Sequence, residues 1–359
     1  DNTALLQLIE HSKTTKTKIL PVFIFNPRQI DPSKNPYYSN NAVQFMLESL
    51  KDLKIALFDT LQFLHGTDQE VIKKLLLHFR IDTIAFNKDH TPFAIQRDEA
   101  LTQFATTNGI QVIATPDYSL FPEKPLTQND TPYTVFTPFY KACLLNLNRI
   151  SPPAPTISSK HLKSILFMDP FPLKSIKNID MYHTPNTSIT LHGTREHALA
   201  ILKRIKNKEF KAYEANRDFP FKDATTKLSP YLKFGLISIR EAFFTCLSTY
   251  GKEHGLVREL IWREFYANVT EHFPKVLQGM NAVGTHAGPL AFTTANASFK
   301  DKYDSLKWTN NKVYLDAFVN ARTGFPIIDA SIRNLKATGF LHNRLRMVIA
   351  SFFTKDLLL

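Results

Sequence analysis

Short apolar runs separated by amphipathic helical patterns constrain the first third of this chain more than any other feature. Ile19 to Phe25, Ile81 to Phe86 and Ile110 to Ala114 are compact hydrophobic stretches of strand length, the first broken by Pro27. Helical segments fall between them. Residues 41–53 carry Val43, Leu47 and Leu50 on one face, and Thr67-Asp68-Gln69-Glu70 forms a capping box ahead of Val71, Ile72, Leu75 and Leu76. Another helix is expected from Pro92 to Asn108, with Gly109 placed to end it. Buried strands linked by helices pair in parallel through right-handed crossovers, so residues 1–115 are expected to form an α/β, Rossmann-like parallel sheet. No Gly-x-Gly-x-x-Gly follows the first run, so the ordinary NAD-binding turn is not supported.

The next segment changes character. Between Pro116 and Pro185 lie 11 of the 21 prolines, with few long periodic stretches, which predicts a linker (residues 116–192) wrapped over the surface of its neighbours. From Gly193 the pattern is helical: Arg195 to Ile205, Pro230 to Tyr250, Leu256 to His272, Tyr314 to Asn320, Pro326 to Ala337 and His342 to Leu358. Gly324 with Pro326 opens one of these helices and Thr338-Gly339 closes it. Residues 193–359 are therefore expected to be an all-α domain.

Composition narrows the partners. Lys and Arg number 44 against 32 Asp and Glu, a formal net charge of +12, which favours a polyanion such as nucleic acid over a neutral partner. No apolar run approaches the roughly 20 residues that span a bilayer, so no membrane segment is read. Cys143 and Cys246 are too few and too far apart for a disulfide framework or a zinc ribbon, and suit a reducing, intracellular compartment. The 12 histidines form no metal-ligand cluster. The chain opens at Asp1 without an initiator methionine and stops at Leu359 inside an apolar helical run, so both ends read as cut and targeting signals are not legible.

Three segments of the helical half carry chemistry. In the helix over 256–272, Glu259, Trp262, Arg263 and Tyr266 fall together at i, i+3, i+4 and i+7, while Leu260, Ile261, Glu264 and Phe265 point elsewhere. A carboxylate and a guanidinium beside an indole are costly to bury unless paired or met by a ligand, and such a face suits a flat substrate with polar edges. The plainer account is an amphipathic helix with a Glu259–Arg263 pair at i, i+4. The run Thr225-Thr226-Lys227-Leu228-Ser229-Pro230, following Tyr213 to Arg217, gathers donors beside a helix N-terminus, where a phosphate is favoured. The plainer account is a Ser N-cap with Pro at N1, which needs no ligand. In His342-Asn343-Arg344-Leu345-Arg346-Met347, Asn343 and Met347 share a face with Arg346 beside them, while Arg344 projects away. That set could line a site for a heterocycle near phosphates, or form a basic solvated stripe.

Five ordered segments, YEANRDFP, TTKLSPYLKFG, ELIWREFY, RTGFPIIDASIRNLKATGFLHNRLRM and ASFFTKDLL, resemble the cryptochrome/photolyase family, and most closely class I cyclobutane pyrimidine dimer photolyases. DNTALL, TPFAIQRDEAL and YTVFTPFYKA fit the same family in the first half, so the resemblance covers essentially the whole chain. It implies an antenna-type α/β domain, a helical FAD-binding domain, and light-driven repair of pyrimidine dimers in DNA by electron transfer from reduced FAD. Tyr213 and Thr225, Thr226, Lys227, Leu228 and Ser229 would hold the FAD, with Asn343 and Arg346 contacting the flavin. Glu259 and Trp262 would meet the dimer, Met347 and Asn343 would complete the pocket, and Arg217, Trp262, Tyr266 and Arg344 would contact DNA. Glu259 stabilises charge on a pyrimidine carbonyl only by donating a proton, so a raised pKa is expected for it. Trp308 matches the outer tryptophan of the family's electron-transfer chain. No metal is implied, and the partner is damaged DNA, met by a monomer wherever the DNA lies, in a nucleus or in a bacterial or viral cytoplasm.

The chain also departs from the family's pattern. The family's first strand should precede DNTALL, and beyond Leu359 the family continues with an acidic flavin-clasping motif, an asparagine facing the flavin and two more tryptophans. A molecule ending at Leu359 is expected to retain flavin poorly and repair little. Neither Phe93 nor Ala94 matches the usual folate-binding Asn-Glu pair, so folate is doubtful and the antenna chromophore is unassigned. The His342-Asn343 pair stands where enzymes for the (6-4) photoproduct have two histidines, which favours dimer repair. A cryptochrome-like photoreceptor or DNA-binding protein without repair, and an inactive truncated remnant, are the alternatives.

Overall fold

The computed structural model describes residues 1–121, 126–128, 131–273 and 305–359. It opens with α1 (Thr3–Thr15), capped by the Asn2 side chain, which accepts the Leu5 N–H, and ended by Lys16 in the left-handed region (φ 58). β1 (Val22–Phe25) follows, then the single turn α2 (Pro27–Ile30), α3 (Asn40–Ala56) and β2 (Gln62–His65). Next come α4 (Asp68–Leu76), β3 (Thr83–Lys88), α5 (Pro92–Thr107) and β4 (Gln111–Pro116). The capping box on α4 forms as its sequence predicts, Thr67 and Glu70 each accepting the other's backbone N–H.

β1 pairs in parallel with β2, Val22 opposite Gln62, and β3 in parallel with β4, Thr83 opposite Gln111. The strand–helix–strand units are thus those expected, with two differences. β2 escapes the apolar-run reading because only Phe63 and Leu64 lie between polar Gln62 and His65. These four strands also form two separate parallel pairs, not one continuous sheet, and Thr127–Gln128 pairs antiparallel with Thr131–Pro132 as a third two-stranded ladder among the described residues. The two halves meet through side chains: Leu20, Val22 and Ile24 share one apolar cluster with Ile84 and Phe86. Ile19, expected inside the first strand, instead forms a lone parallel bridge with Leu166. α1, which lacks a strong apolar stripe, lies over β3 and β4, with Asn87 accepting from Thr3 Oγ1 and the Ala4 N–H.

The second half packs α6 (Phe136–Leu145), α8 (Arg195–Lys206), α9 (Tyr213–Asn216), α10 (Ser229–Lys233), α11 (Ile239–Tyr250) and α12 (Gly255–His272) around a second core, with α7 (Ser159–Ile165) in the first. α6 belongs to the Pro-rich segment expected to wrap the surface, yet its Phe139 and Cys143, one turn apart, are fully buried in the helical core against α12. The helix expected from Pro230 to Tyr250 is two helices. Gly235 (φ 70) takes a left-handed turn that side chains resist, and Ser238 with Glu241 starts α11 afresh in a capping box. α13 (Lys312–Val319), α14 (Pro326–Thr338) and α15 (Asn343–Ser351) complete the fold, α15 running on into a π-helical turn over Phe352–Asp356.

Candidate functional site

The site is built from the α12 helix outward. Its Leu256, Val257, Leu260, Ile261, Phe265 and Val269 are buried in the helical core, which leaves Glu259 half-buried and Tyr266 exposed, with the half-buried Trp262 packed at the edge of that core. Gly255 lets α9 press against the start of α12: a Cβ there would stand 2.6 Å from Glu214 Oε1 and 2.8 Å from Tyr213 Cδ1.

The helix-mate pair Glu259–Arg263 does not form. Glu259 Oε1 takes Arg217 Nη1 at 2.5 Å, from the end of α9. Arg263 lies 3.5 Å from the centroid of the Tyr118 ring and donates to the Tyr118 carbonyl at 2.7 Å, so it braces the loop after β4 and leaves the stripe. Burial raises the pKa of Glu259 above its ordinary value, against the pull of Arg217 and, less strongly, of Arg258 and Arg344. That direction is the one its expected proton-donating role requires. Tyr213, buried beneath the pair, has its phenol pushed up to about 12 by burial first and by the Glu259 charge second.

Trp262 is less open than its helix position suggests. Phe136 stacks on its indole at 3.4 Å between centroids and 5° between planes, and Tyr266 stacks at 5.6 Å and 23°. No local sequence signal could link Phe136 to Trp262, since they meet only because α6 packs on α12.

The third segment arrives from α15. His342 caps it, its Nδ1 accepting the Arg344 N–H at 3.2 Å, while its buried Nε2 has no partner. Arg344 does not project away from Asn343 and Met347 as expected. Its Nη1 reaches Met347 Sδ at 3.6 Å, beside the Asn343 amide at 3.9 Å, and its Nη2 donates to Asp218 Oδ1 at 2.5 Å. The Arg344 ion pair holds the Asp218 carboxyl below its ordinary range. Arg217–Glu259 and Asp218–Arg344 are thus consecutive clasps that bring the end of α9, α12 and α15 to one face. Asp218 was not singled out in the sequence, although it adjoins Arg217.

Ser229 and Arg346 line a cavity of about 380 Å³ together with Phe45 and Asn41 of α3, Phe234 and Phe340. Arg346 donates to the Leu341 carbonyl at 2.9 Å and lies over the Phe340 ring at 5.7 Å. The plain Ser-cap account of residues 225–230 fails. α10 begins at Ser229 with Leu228 in the cap position and no side-chain cap bond, so capping does not use the Ser229 hydroxyl. Ahead of it Lys227 is left-handed (φ 53) and paired with Asp223 at 2.7 Å, Thr225 and Thr226 are half-buried, and Leu228 is buried. Trp308 lies elsewhere in the bonding pattern. Its neighbour Thr309 donates to the carbonyls of Leu357 and Leu358, and the indole is 42% exposed.

Among the described residues no group of three or more His, Cys, Asp or Glu could hold a metal, and no helix is long and apolar enough to cross a membrane. The family model described as DNA photolyase matches residues 1–158, and that described as FAD binding domain of DNA photolyase matches residues 256–359. A deoxyribodipyrimidine photo-lyase of Alkalihalophilus pseudofirmus is 30% identical over all of this chain and 71% of its own length. The enzyme of the same name from Escherichia coli is 28% identical over all of this chain and 73% of its own length. The crystal structure of a bacterial class III photolyase from Agrobacterium tumefaciens superposes with a TM-score of 0.79 at 27% identity, covering 100% of this chain and 70% of that one. A Sulfolobus tokodaii photolyase solved with two FAD molecules gives 0.72 at 28% identity, covering 99% and 72%.

Proposed function

The chain belongs to the photolyase and cryptochrome family, and on that premise we propose that it repairs cyclobutane pyrimidine dimers in DNA by light-driven electron transfer. The carrying observation is the single face on which Glu259, Arg217, Asp218, Arg344 and Met347 converge beside the Trp262 stack.

The residues present fit FAD. A cavity lined by Ser229 and Arg346, with aromatic Phe340 and Phe234 beside them, brings residues with anion donors and flat apolar surface together. Tyr213, Thr225, Thr226, Lys227, Leu228, Ser229, Asn343 and Arg346 are the residues proposed to hold it. Bound, FAD supplies the light-driven one-electron chemistry.

The remaining work falls to the protein. Glu259, neutral at a higher pH than an ordinary carboxyl, donates its proton in a hydrogen bond to a pyrimidine carbonyl and so stabilises negative charge developing there. Trp262 and Met347 offer apolar and polarizable surface to the ring edges and exclude water. Arg217 and Arg344 exchange their carboxylate partners for backbone phosphates, which positions the strand and offsets the few kcal/mol of extruding the dimer. A monomer acting on DNA is sufficient for these steps, and Trp308 is assigned the outer position of an electron path to the surface.

The test is illumination of the protein, loaded with FAD and reduced, with UV-irradiated DNA. Loss of dimers in light and none in darkness is the expected result. A flavin-loaded protein that binds dimer-containing DNA yet removes no dimer in light would reject repair in favour of a photoreceptor.

A further inference from the structure

The loop between α9 and α10 carries an aromatic tip that the repair reading leaves unused. Phe221 is 82% exposed and Phe219 is 45% exposed, their rings edge to face at 5.9 Å. They belong to a closed turn. The Lys222 N–H donates to the Phe219 carbonyl at 3.0 Å, with Pro220 in the second position, where its fixed φ pre-sets such a turn. The Phe219 N–H in turn donates to the Asn216 carbonyl, and Lys222 Nζ donates to the Asn216 side chain at 2.7 Å. That places the Lys222 ammonium 4.8 Å from the Phe219 ring centroid and 6.0 Å from that of Phe221. The result is a held, cationic tip with one aromatic ring facing water.

Its position suggests what covers it. Asp218, next to Phe219, clasps Arg344, and Arg217 precedes it, so the tip adjoins the two arginines proposed to exchange their carboxylate partners for DNA phosphates. A cation beside an exposed aromatic ring, next to two arginines, matches a nucleic-acid strand in both charge and shape: phosphates meet the cations and a base stacks on the ring. Because the turn is pre-formed, stacking orders little that is not already ordered.

We propose that Phe221 is a further DNA contact, stacking on a base unpaired by extrusion of the dimer and so holding the opened duplex. The proposal rests on the DNA-repair reading and deepens it. It predicts a contact that discriminates opened from intact DNA, because a base inside a continuous stack presents no free face.

Equilibrium binding of the full chain to a dimer-containing duplex and to its undamaged counterpart, across a salt series, tests this. Phe221→Ala is expected to weaken binding to the damaged duplex about tenfold, within the range for losing one base–aromatic stack, while binding to undamaged duplex and the salt slope stay unchanged. Phe221→Trp is expected to retain affinity and to show indole fluorescence quenched by damaged DNA, measured against wild type to subtract Trp262 and Trp308. With the side chain so exposed, both variants should melt with wild type. Phe221→Ala binding within twofold of wild type, or losing affinity equally for both duplexes, overturns the contact while leaving the repair reading intact. Wild-type protein with no preference for damaged DNA overturns both.

Discussion

Glu264 is the residue whose removal should cost most for a reason visible atom by atom. It lies on α12 with 4% exposure, and its carboxylate accepts from Ser119 Oγ, from the Leu120 N–H at 2.8 Å and from the Phe121 N–H at 3.2 Å. These bonds tie the loop after β4 to the helix that carries Glu259 and Trp262 on another face. In Glu264→Ala the Phe121 N–H keeps the Ser119 hydroxyl at 3.1 Å, but the buried Leu120 N–H loses its partner. One orphaned buried donor costs about 1–3 kcal/mol. The one buried methylene lost adds about 0.8 kcal/mol, for a total of about 2–4 kcal/mol. Glu264→Gln keeps the methylenes and a carbonyl for Leu120, and turns an amide toward the Ser119 hydroxyl, so it should cost about 1 kcal/mol or less. Burial raises the Glu264 pKa despite these bonds. The native state therefore binds its proton more tightly than the unfolded chain, and stability falls as pH rises from the unfolded pKa through the native one. Glu264→Gln should remove that decline. Urea melts of the three proteins at acidic and neutral pH measure all of this. If Gln destabilises as much as Ala, although it keeps the volume and a carbonyl for Leu120, the hydrogen-bond argument is wrong and the carboxylate's charge carries the site.

Repair per photon is expected to rise as pH falls through the titration of Glu259, because burial raises its pKa and only its neutral form donates; Glu259→Gln should flatten the profile, and a flat wild-type profile counts against the assigned role. Arg344→Ala should weaken DNA binding and lower the salt slope by about 0.9, the signature of one lost phosphate contact, while Glu259→Ala should mainly lower repair yield. Equal losses in both assays from both variants would refute that division. Gly193→Ala should cost about 1–3 kcal/mol by overpacking, since its Cβ would sit 2.2 Å from the Phe45 carbonyl oxygen and 2.6 Å from Ser49 Oγ; an unchanged thermal midpoint would mean that the α3–α8 junction gives way at no cost.

The elements most legible in the sequence were those with local causes. The α4 capping box, the Gly339 end of α14 (φ 72) and the apolar faces of α3 and α12 stand where spacing and end chemistry put them. Where a second segment decided the outcome, periodicity was silent or misleading. β2 is a strand because β1 offers it a ladder, and α6 is buried because α12 receives Phe139. α10 and α11 separate at a glycine that helical periodicity alone treats as one more residue.

The same division runs through the site. Residue types and spacing along the chain determined that Glu259, Trp262 and Tyr266 share a stripe, that residues 225–230 are rich in donors, and that Asn343, Arg344, Arg346 and Met347 belong to one element, because a helix's period is set by its own backbone. Only tertiary structure decided which charges meet. Arg217 took Glu259 from Arg263, Asp218 took Arg344, and Phe136 covered one face of Trp262. An ion pair or ring stack depends on distances of a few ångströms between segments far apart in sequence, and packing alone sets those distances.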